Sequence, residues 1–306
     1  HPHTTLFSSA ASDVYKRQDE GQIEDIFRAG KVKEVIIFEN NFARKLQKEA
    51  DAAIHIIADA SDPNTANLLV NYTNGIIQNY MLEKLGVQSL PIEIKTEYKM
   101  LYNPELKSVF MFVPGTITIL LMLVSAMMTS ISIAREKEMG TMEVLLVSPL
   151  KPIQIVVGKV IPYVVLSFIN AITILIMAFF IFGMPIQGSL ILLLAESLLF
   201  IIMALALGIF ISTVAKNQQV AMMMSMFALM LPTILLSGFI FPIENMPMVL
   251  QWICNIMPTK WFIIILKDIL LKGVGLAHIW QETLIIFGMT LIFIGLSVKK
   301  FKIRLE

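Results

Sequence analysis

FMFVPGTITILLMLVSAMMTSISI, residues 110–133, runs for 24 residues without a charged side chain. At a rise of about 1.5 Å per residue, roughly 20 helical residues cross a hydrocarbon core of about 30 Å. The run is therefore read as a membrane span. Four further stretches downstream read the same way, at about 160–182, 190–214, 220–241 and 281–298. WFIIIL (261–266) is apolar but too short to cross, and Lys260, Lys267 and Asp268 bound it. Together with PIENMPMVLQWICNIMP (242–258) it reads as an interfacial or re-entrant hairpin over 242–268.

Upstream of residue 108 the character changes. Residues 1–108 hold 12 Lys+Arg against 15 Asp+Glu, a net −3, whereas residues 109–306 hold 12 against 8, a net +4. Within 19–107, helical and strand-like patterns alternate. GQIEDIFRAG (21–30) reads as a short helix closed by Gly30, KEVIIF (33–38) as a strand, and NNFARKLQKEA (40–50) as a helix. AAIHIIADA (52–60) is a second strand. Asp62 and Pro63 give the cap and first turn of a helix to about Leu85, and PIEIKTEYKML (91–101) is a third strand. HPHTTLFSSAASDVYKRQ (1–18) has neither a starting Met nor an apolar leader core, reads as a non-native scar, and is left out of the fold. The expected fold is an α-helical polytopic membrane protein with five visible spans over 108–306, a sixth missing upstream, and a small extracytoplasmic α/β domain over 19–107.

The 306 residues are 56% hydrophobic and only 15% charged, which excludes an ordinary soluble enzyme. A net charge of +1 excludes a nucleic-acid binder acting through a basic surface. The single cysteine, Cys254, and four scattered histidines provide no metal-ligand spacing. Met222, Met223, Met224, Met226 and Met230 crowd one span, but consecutive positions point to different sides of a helix and no His or Cys joins them, so flexible packing outweighs a copper site. The chain carries no glycine-rich phosphate loop ending in Lys-Ser/Thr, so no ATP or Mg site is expected in it.

Positive charge orients the spans. With the α/β domain outside, the inside connections 134–159, 215–219 and 299–306 carry nine Lys+Arg, and the outside ones carry only Lys260, Lys267 and Lys272. The C-terminus is thus placed in the cytoplasm. The connection 134–159 is the most informative of these. Arg135, Glu136, Lys137, Glu138 and Glu143 accompany Met139, Met142, Leu145 and Leu146, the pattern of an amphipathic helix lying across the membrane axis and ended by Pro149 and Pro152. On composition it is either a solvated loop helix on the headgroups or a docking element for a cytosolic partner.

R-E-K-E-x-G-T-x-E-x-L-L-x-S-P (135–149), followed by GKVIPY (158–163), resembles the signature loop of type-two ABC transporter permeases, the membrane subunits of bacterial ABC exporters. YNPELKSVFMFVPG (102–115) is similar to the family's segment joining the periplasmic domain to the second span. SGFIFPIENMPMVLQWICNIMPTKWF (237–262) is similar to its outward hairpin. The resemblance covers roughly 19–306 and departs in lacking the family's first span. It implies a permease subunit in the bacterial cytoplasmic membrane, coupled to a separate ABC ATPase subunit that binds ATP and Mg, paired with an identical or related permease, and served at its outer domain by lateral substrate entry or a periplasmic adaptor. Arg135, Glu136, Glu138, Gly140, Thr141, Glu143 and Pro149 would form the coupling helix, with Gly140 and Thr141 allowing close approach and a tight turn. Phe241, Pro242, Pro258 and Trp261 would belong to an outer gate, although tryptophans at this level also suit the headgroup belt.

Glu196 sits in the span 190–214, about 9 Å below its outer end. It is read either as a contact on the translocation path or as an interfacial capping acid. Asn170, with Ser167 and Thr173, lines the path or bonds between helices. Two rivals stay open: a receptor or surface protein with a ligand-binding ectodomain, and a membrane-embedded enzyme. The second lacks converging nucleophiles, acids and histidines.

Overall fold

The computed structural model describes residues 4–7, 14–17, 23–48, 51–85, 93–141 and 152–303. The chain divides into two compact units, residues 1–111 and 112–306.

The first unit is built on a mixed five-stranded sheet. β1 (Thr4–Phe7), β2 (Val14–Arg17), β3 (Glu34–Phe38), β4 (Asp51–Asp59) and β5 (Glu93–Leu101) lie in the order β2-β1-β3-β4-β5. Only β4 and β5 are parallel, and the helix α3 (Pro63–Leu85) makes the crossover that a parallel pair requires. α1 (Ile23–Arg28) and α2 (Phe42–Lys48) complete the unit. β4 alternates in both directions. Ile54, Ile56 and Ala58 join Ile36, Val70 and Ile77 in one core, while Ile57 joins Phe27, Val32 and Val35 in another. A strand buried on both faces needs this near-continuous apolar run, which is what AAIHIIADA supplies. Asp62 accepts from Asn64 N (3.1 Å) and Thr65 N (3.2 Å), giving α3 the cap that the sequence signals. The reading of three strands is corrected to five among the described residues. Two of the five come from residues 4–17, because Thr4–Phe7 pairs antiparallel with the free edge of β3.

The second unit is helical. α4 (Val109–Glu138), α5 (Pro152–Phe180) and α6 (Leu190–Val214) are followed by α7 (Gln218–Ser225), a π-helical turn Met226–Met230, and α8 (Leu231–Leu236). A 3₁₀ turn Ile243–Asn245 leads to α9 (Met248–Ile256), α10 (Pro258–Lys267) and α11 (Leu276–Ile303). Among the described residues, five helical stretches are long and apolar enough to cross a membrane, six if the bent pair α9–α10 is counted as one. That pair turns by 80° at Met257–Pro258.

α4 buries Ile117/Thr118, Leu121/Met122, Ser125/Ala126, Thr129/Ser130 and Ile133/Ala134, adjacent pairs repeating every four residues along one stripe. α6 is buried over most of its circumference and forms the centre of the unit. Serines tie the helices across: Ser125 donates to Ser167 on α5 (3.0 Å), Ser130 and Ser225 share a hydrogen bond (2.8 Å), and Ser297 on α11 donates to the Ala206 carbonyl (3.1 Å). In hydrocarbon such pairs hold helices together where apolar contact alone gives no preference over lipid. Large apolar side chains cover the outside, among them Ile161, Val165, Ile169 and Phe180 on α5.

Candidate functional site

The charged cluster of the motif sits on the last turn of α4. The helix does not stop at Ile133, because nothing before Gly140 breaks its ladder. Met139 N still bonds the Arg135 carbonyl (2.9 Å), and Gly140 then leaves the helix with φ +71°. The expectation of a separate amphipathic helix within the connection 134–159, ended by Pro149 and Pro152, is corrected at its start, since 134–138 continue α4, and at Pro152, which starts α5 rather than ending a helix. Proline at a first helical position costs nothing there, as that N–H has no intrahelical partner. Glu143 and Pro149 lie outside the described residues.

Each of the three residues Glu136, Lys137 and Glu138 holds a different helix. Glu136 pairs with Lys159 of α5. Lys137 donates to the Ser212 carbonyl near the end of α6. That carbonyl lies in the last turn, where the helix itself offers no donor, and a cation there also meets the negative end of the helix dipole. Glu138 Oε2 accepts from Gln218 N (3.0 Å) and Gln218 Nε2 (3.1 Å). Asn217 caps α7 by accepting from Val220 N (2.8 Å), so Gln218 N is one of the donors left at that helix start. Cation and anion thus grip the two sides of the α6–α7 turn. Ala134, Ala215 and Ala221 fill the space between with fully buried methyl groups.

Arg135 and Thr141 are exposed, as is Met139 at 62%; Thr141 Oγ1 donates back to the Glu136 carbonyl (3.3 Å). Gly140 is needed for its left-handed turn and not for close approach, since no described atom lies within 4 Å of where its Cβ would be.

The other sequence candidates are distributed elsewhere. Glu196 is buried at 4% exposure between helices of one chain, where Thr283 Oγ1 of α11 donates to its Oε1 (2.8 Å) while Oε2 has no hydrogen-bond partner among the described residues. Ser167 is an interhelical bond, Thr173 donates to its own helix at Ile169 (2.9 Å), and Asn170 is half-buried. In the segment between α8 and α10, Phe241 is 52% exposed, Pro242 is half-buried and Pro258 is buried at the start of α10. Trp261 Nε1 donates to the Asn255 carbonyl (3.0 Å), with Lys260 over its ring at 4.6 Å.

Sequence reasoning missed three groups. Phe239, two residues before the exposed Phe241, is buried, and its ring meets Phe112 edge-on at 5.7 Å. Glu282 lies inside a candidate span with a buried, unpartnered Oε2, although only Glu196 was singled out within the spans; its place at the edge of the run 281–298 hid it. Lys272, counted among the outside loop positives, is 7% exposed and pairs with Asp268 (3.2 Å). An i,i+4 spacing of opposite charges is the signal that was available.

The sequence that folds this way has known relatives. The model of the family described as "ABC-2 family transporter protein" matches residues 5–299. "Probable multidrug ABC transporter permease YbhS" of Escherichia coli (strain K12) is 34% identical over 307 residues, 99% of this chain and 81% of the relative. "Probable multidrug ABC transporter permease YbhR" of the same organism is 32% identical over 275 residues, 90% of this chain and 74% of the relative. "Inner membrane transport permease YhhJ", also from that strain, is 27% identical over 282 residues, 90% and 74%. A match over nearly the whole length sets aside the receptor and enzyme alternatives, and with five to six apolar helices able to cross a membrane the chain belongs to the ABC-2 family as a multi-pass membrane permease of an ABC transporter.

Proposed function

We propose that this chain is the membrane subunit of an ATP-driven exporter in the bacterial inner membrane. ATP and Mg²⁺ are bound and turned over by a separate ATPase chain, since these 306 residues carry no phosphate loop. A second permease, identical or related, pairs with it, and substrate crosses between the two. The α/β unit stands outside and the C-terminus inside, with nine positive residues against three in the respective connections. The word multidrug in the names of two relatives supports drugs as the substrate class. The segment bearing Phe241, Pro242, Pro258 and Trp261 closes the outer end of the path. An adaptor docking on the α/β unit is compatible with this plan.

The observation that carries the reading is the last turn of α4. It is a charged, capped helix end tied to the ends of three other helices, and it directly precedes the rest of the motif. A force applied there is delivered to the spans.

The test is co-expression with the P-loop ATPase of the neighbouring reading frame and affinity purification through this chain. Both subunits are expected, with vanadate-sensitive ATP hydrolysis stimulated by lipophilic cations, and cells expressing the pair accumulate ethidium more slowly. Recovery of the permease alone, together with unchanged ethidium accumulation, overturns the reading.

A further inference from the structure

We propose that Glu136, Lys137 and Glu138 are internal joints and not partner contacts: they fasten the loop end of α4 to α5, α6 and α7 so that the four helix ends move as one body. The inference rests on the reading that this end of α4 meets the ATPase subunit, and it divides the labour within the motif. A side chain committed to its own chain is poorly available to a partner, and all three are so committed, through an ion pair, a helix-end carbonyl and a helix-start N–H. Among the described residues of the motif, Arg135, Met139 and Thr141 face outward and hold no other described helix. These three bind the ATPase, and the intervening joints pass the load on.

The joints are not equal. Glu136 and Lys159 are each largely enclosed, with 26% and 20% of their side chains accessible. Lys137 reaches a carbonyl that the α6 ladder cannot satisfy. The Glu138 side chain is open to solvent, which weakens its hold. Ala134, Ala215 and Ala221 keep the α4 end and the α6–α7 turn in direct backbone-level packing, so little slack is left for the joints to take up.

The experiment uses the full chain assembled with its ATPase subunit. Binding is read by pull-down and coupling by the ratio of drug-stimulated to basal ATP hydrolysis. Glu136→Lys and Lys137→Ala are expected to leave pull-down intact and to lower the stimulation about tenfold, the scale of one lost charge-assisted hydrogen bond. Glu138→Ala lowers it less. Glu136→Lys combined with Lys159→Glu restores it, which a contact to another chain would not permit. Arg135→Ala with Met139→Ser is expected to weaken pull-down instead. Where a variant fails to fold, as judged by size exclusion, Lys137→Gln and Glu136→Gln replace it.

Loss of pull-down in Lys137→Ala or Glu138→Ala, or failure of the charge swap to rescue, overturns the proposal. Should the unaltered chain capture no ATPase at all, the functional reading falls and the joints are judged by hydrogen exchange. Glu138→Ala must then deprotect the first turn of α7, and Lys137→Ala the last turn of α6; unchanged exchange there overturns the joints as well.

Discussion

Gly208 and Ala126 bring the backbones of α6 and α4 into contact: a Cβ on Gly208 would lie 2.4 Å from the Ala126 carbonyl oxygen and 2.9 Å from its Cα. No side chain there can swing aside, because the obstacle is main chain. Small residues are what let two spans approach this closely.

Gly208→Ala should therefore destabilise the chain by about 1–3 kcal/mol, the usual range for overpacking. Gly295→Ala in α11 is the control, since nothing lies within 4 Å of its Cβ position and alanine favours helix. Thermal unfolding in detergent, followed by fluorescence-detected size exclusion, should show a lower midpoint for Gly208→Ala alone. Equal midpoints would remove the close-packing account.

Gly115 and Phe239 join two segments that the resemblance picks out separately. A Cβ on Gly115 would sit 1.9 Å from Phe239 Cδ2. Gly115→Ala then forces the ring out of its buried place, at a cost of about 1–3 kcal/mol. Phe239→Ala alone leaves a cavity, at about 3–5 kcal/mol. The double substitution should cost less than the two added together, because the alanine methyl occupies part of the space that the ring vacates. Strict additivity in a double-mutant cycle would show that the two residues do not share that space.

Most of the helical unit was legible because its cause is local. Uncharged runs of twenty or more residues carry their own reading, as does, in the first unit, the Asp62–Pro63 helix start, which is written in residue type. The joints were not legible. Nothing in R-E-K-E states that Lys137 will meet an α6 carbonyl 75 residues away; that contact follows from how α4 and α6 pack, and the same four letters fit a solvated loop. The strand at Thr4–Phe7 was lost for a different reason: residues 1–18 read as a scar, and these four residues become a strand only through pairing with β2 on one side and β3 on the other. Glu196 was found by its rarity in a span, but its position inside one chain, against Thr283, needed the α6–α11 packing.

Thr283 is the only described hydrogen-bond donor to the Glu196 carboxyl. Thr283→Val keeps the shape and leaves the buried acid without it, which should cost about 1–3 kcal/mol. Glu196→Gln keeps an acceptor for Thr283 and removes any charge, so it should cost less. Glu196→Met combined with Thr283→Val makes the contact apolar and should recover most of the loss. Detergent unfolding midpoints rank the variants. If Thr283→Val and Glu196→Gln are indistinguishable from the parent, the contact holds nothing together.

Glu34 gives the first unit a pH dependence whose sign can be worked out. Its side chain points to the α3 face of β3 at 3% exposure, Oε2 accepts from Thr73 Oγ1 (2.9 Å), and Oε1 has no partner. Burial pushes its pKa above the ordinary carboxylate value, and the Thr73 bond only partly opposes this. At a pH below the unfolded value of about 4.3, both states hold the proton and the acid costs nothing in charge. As pH rises from there to the folded pKa, the unfolded chain releases its proton and the folded chain does not, so stability falls. Above the folded pKa the penalty is constant. Glu34→Gln removes it, so the variant should match the parent near pH 4 and become the more stable of the two toward neutrality. Hydrogen exchange of peptides from β3 and β4 in the full chain, variant against parent at each pH, reads the difference. Protection that differs by the same amount at pH 4 and pH 8 would exclude Glu34 as the titrating group.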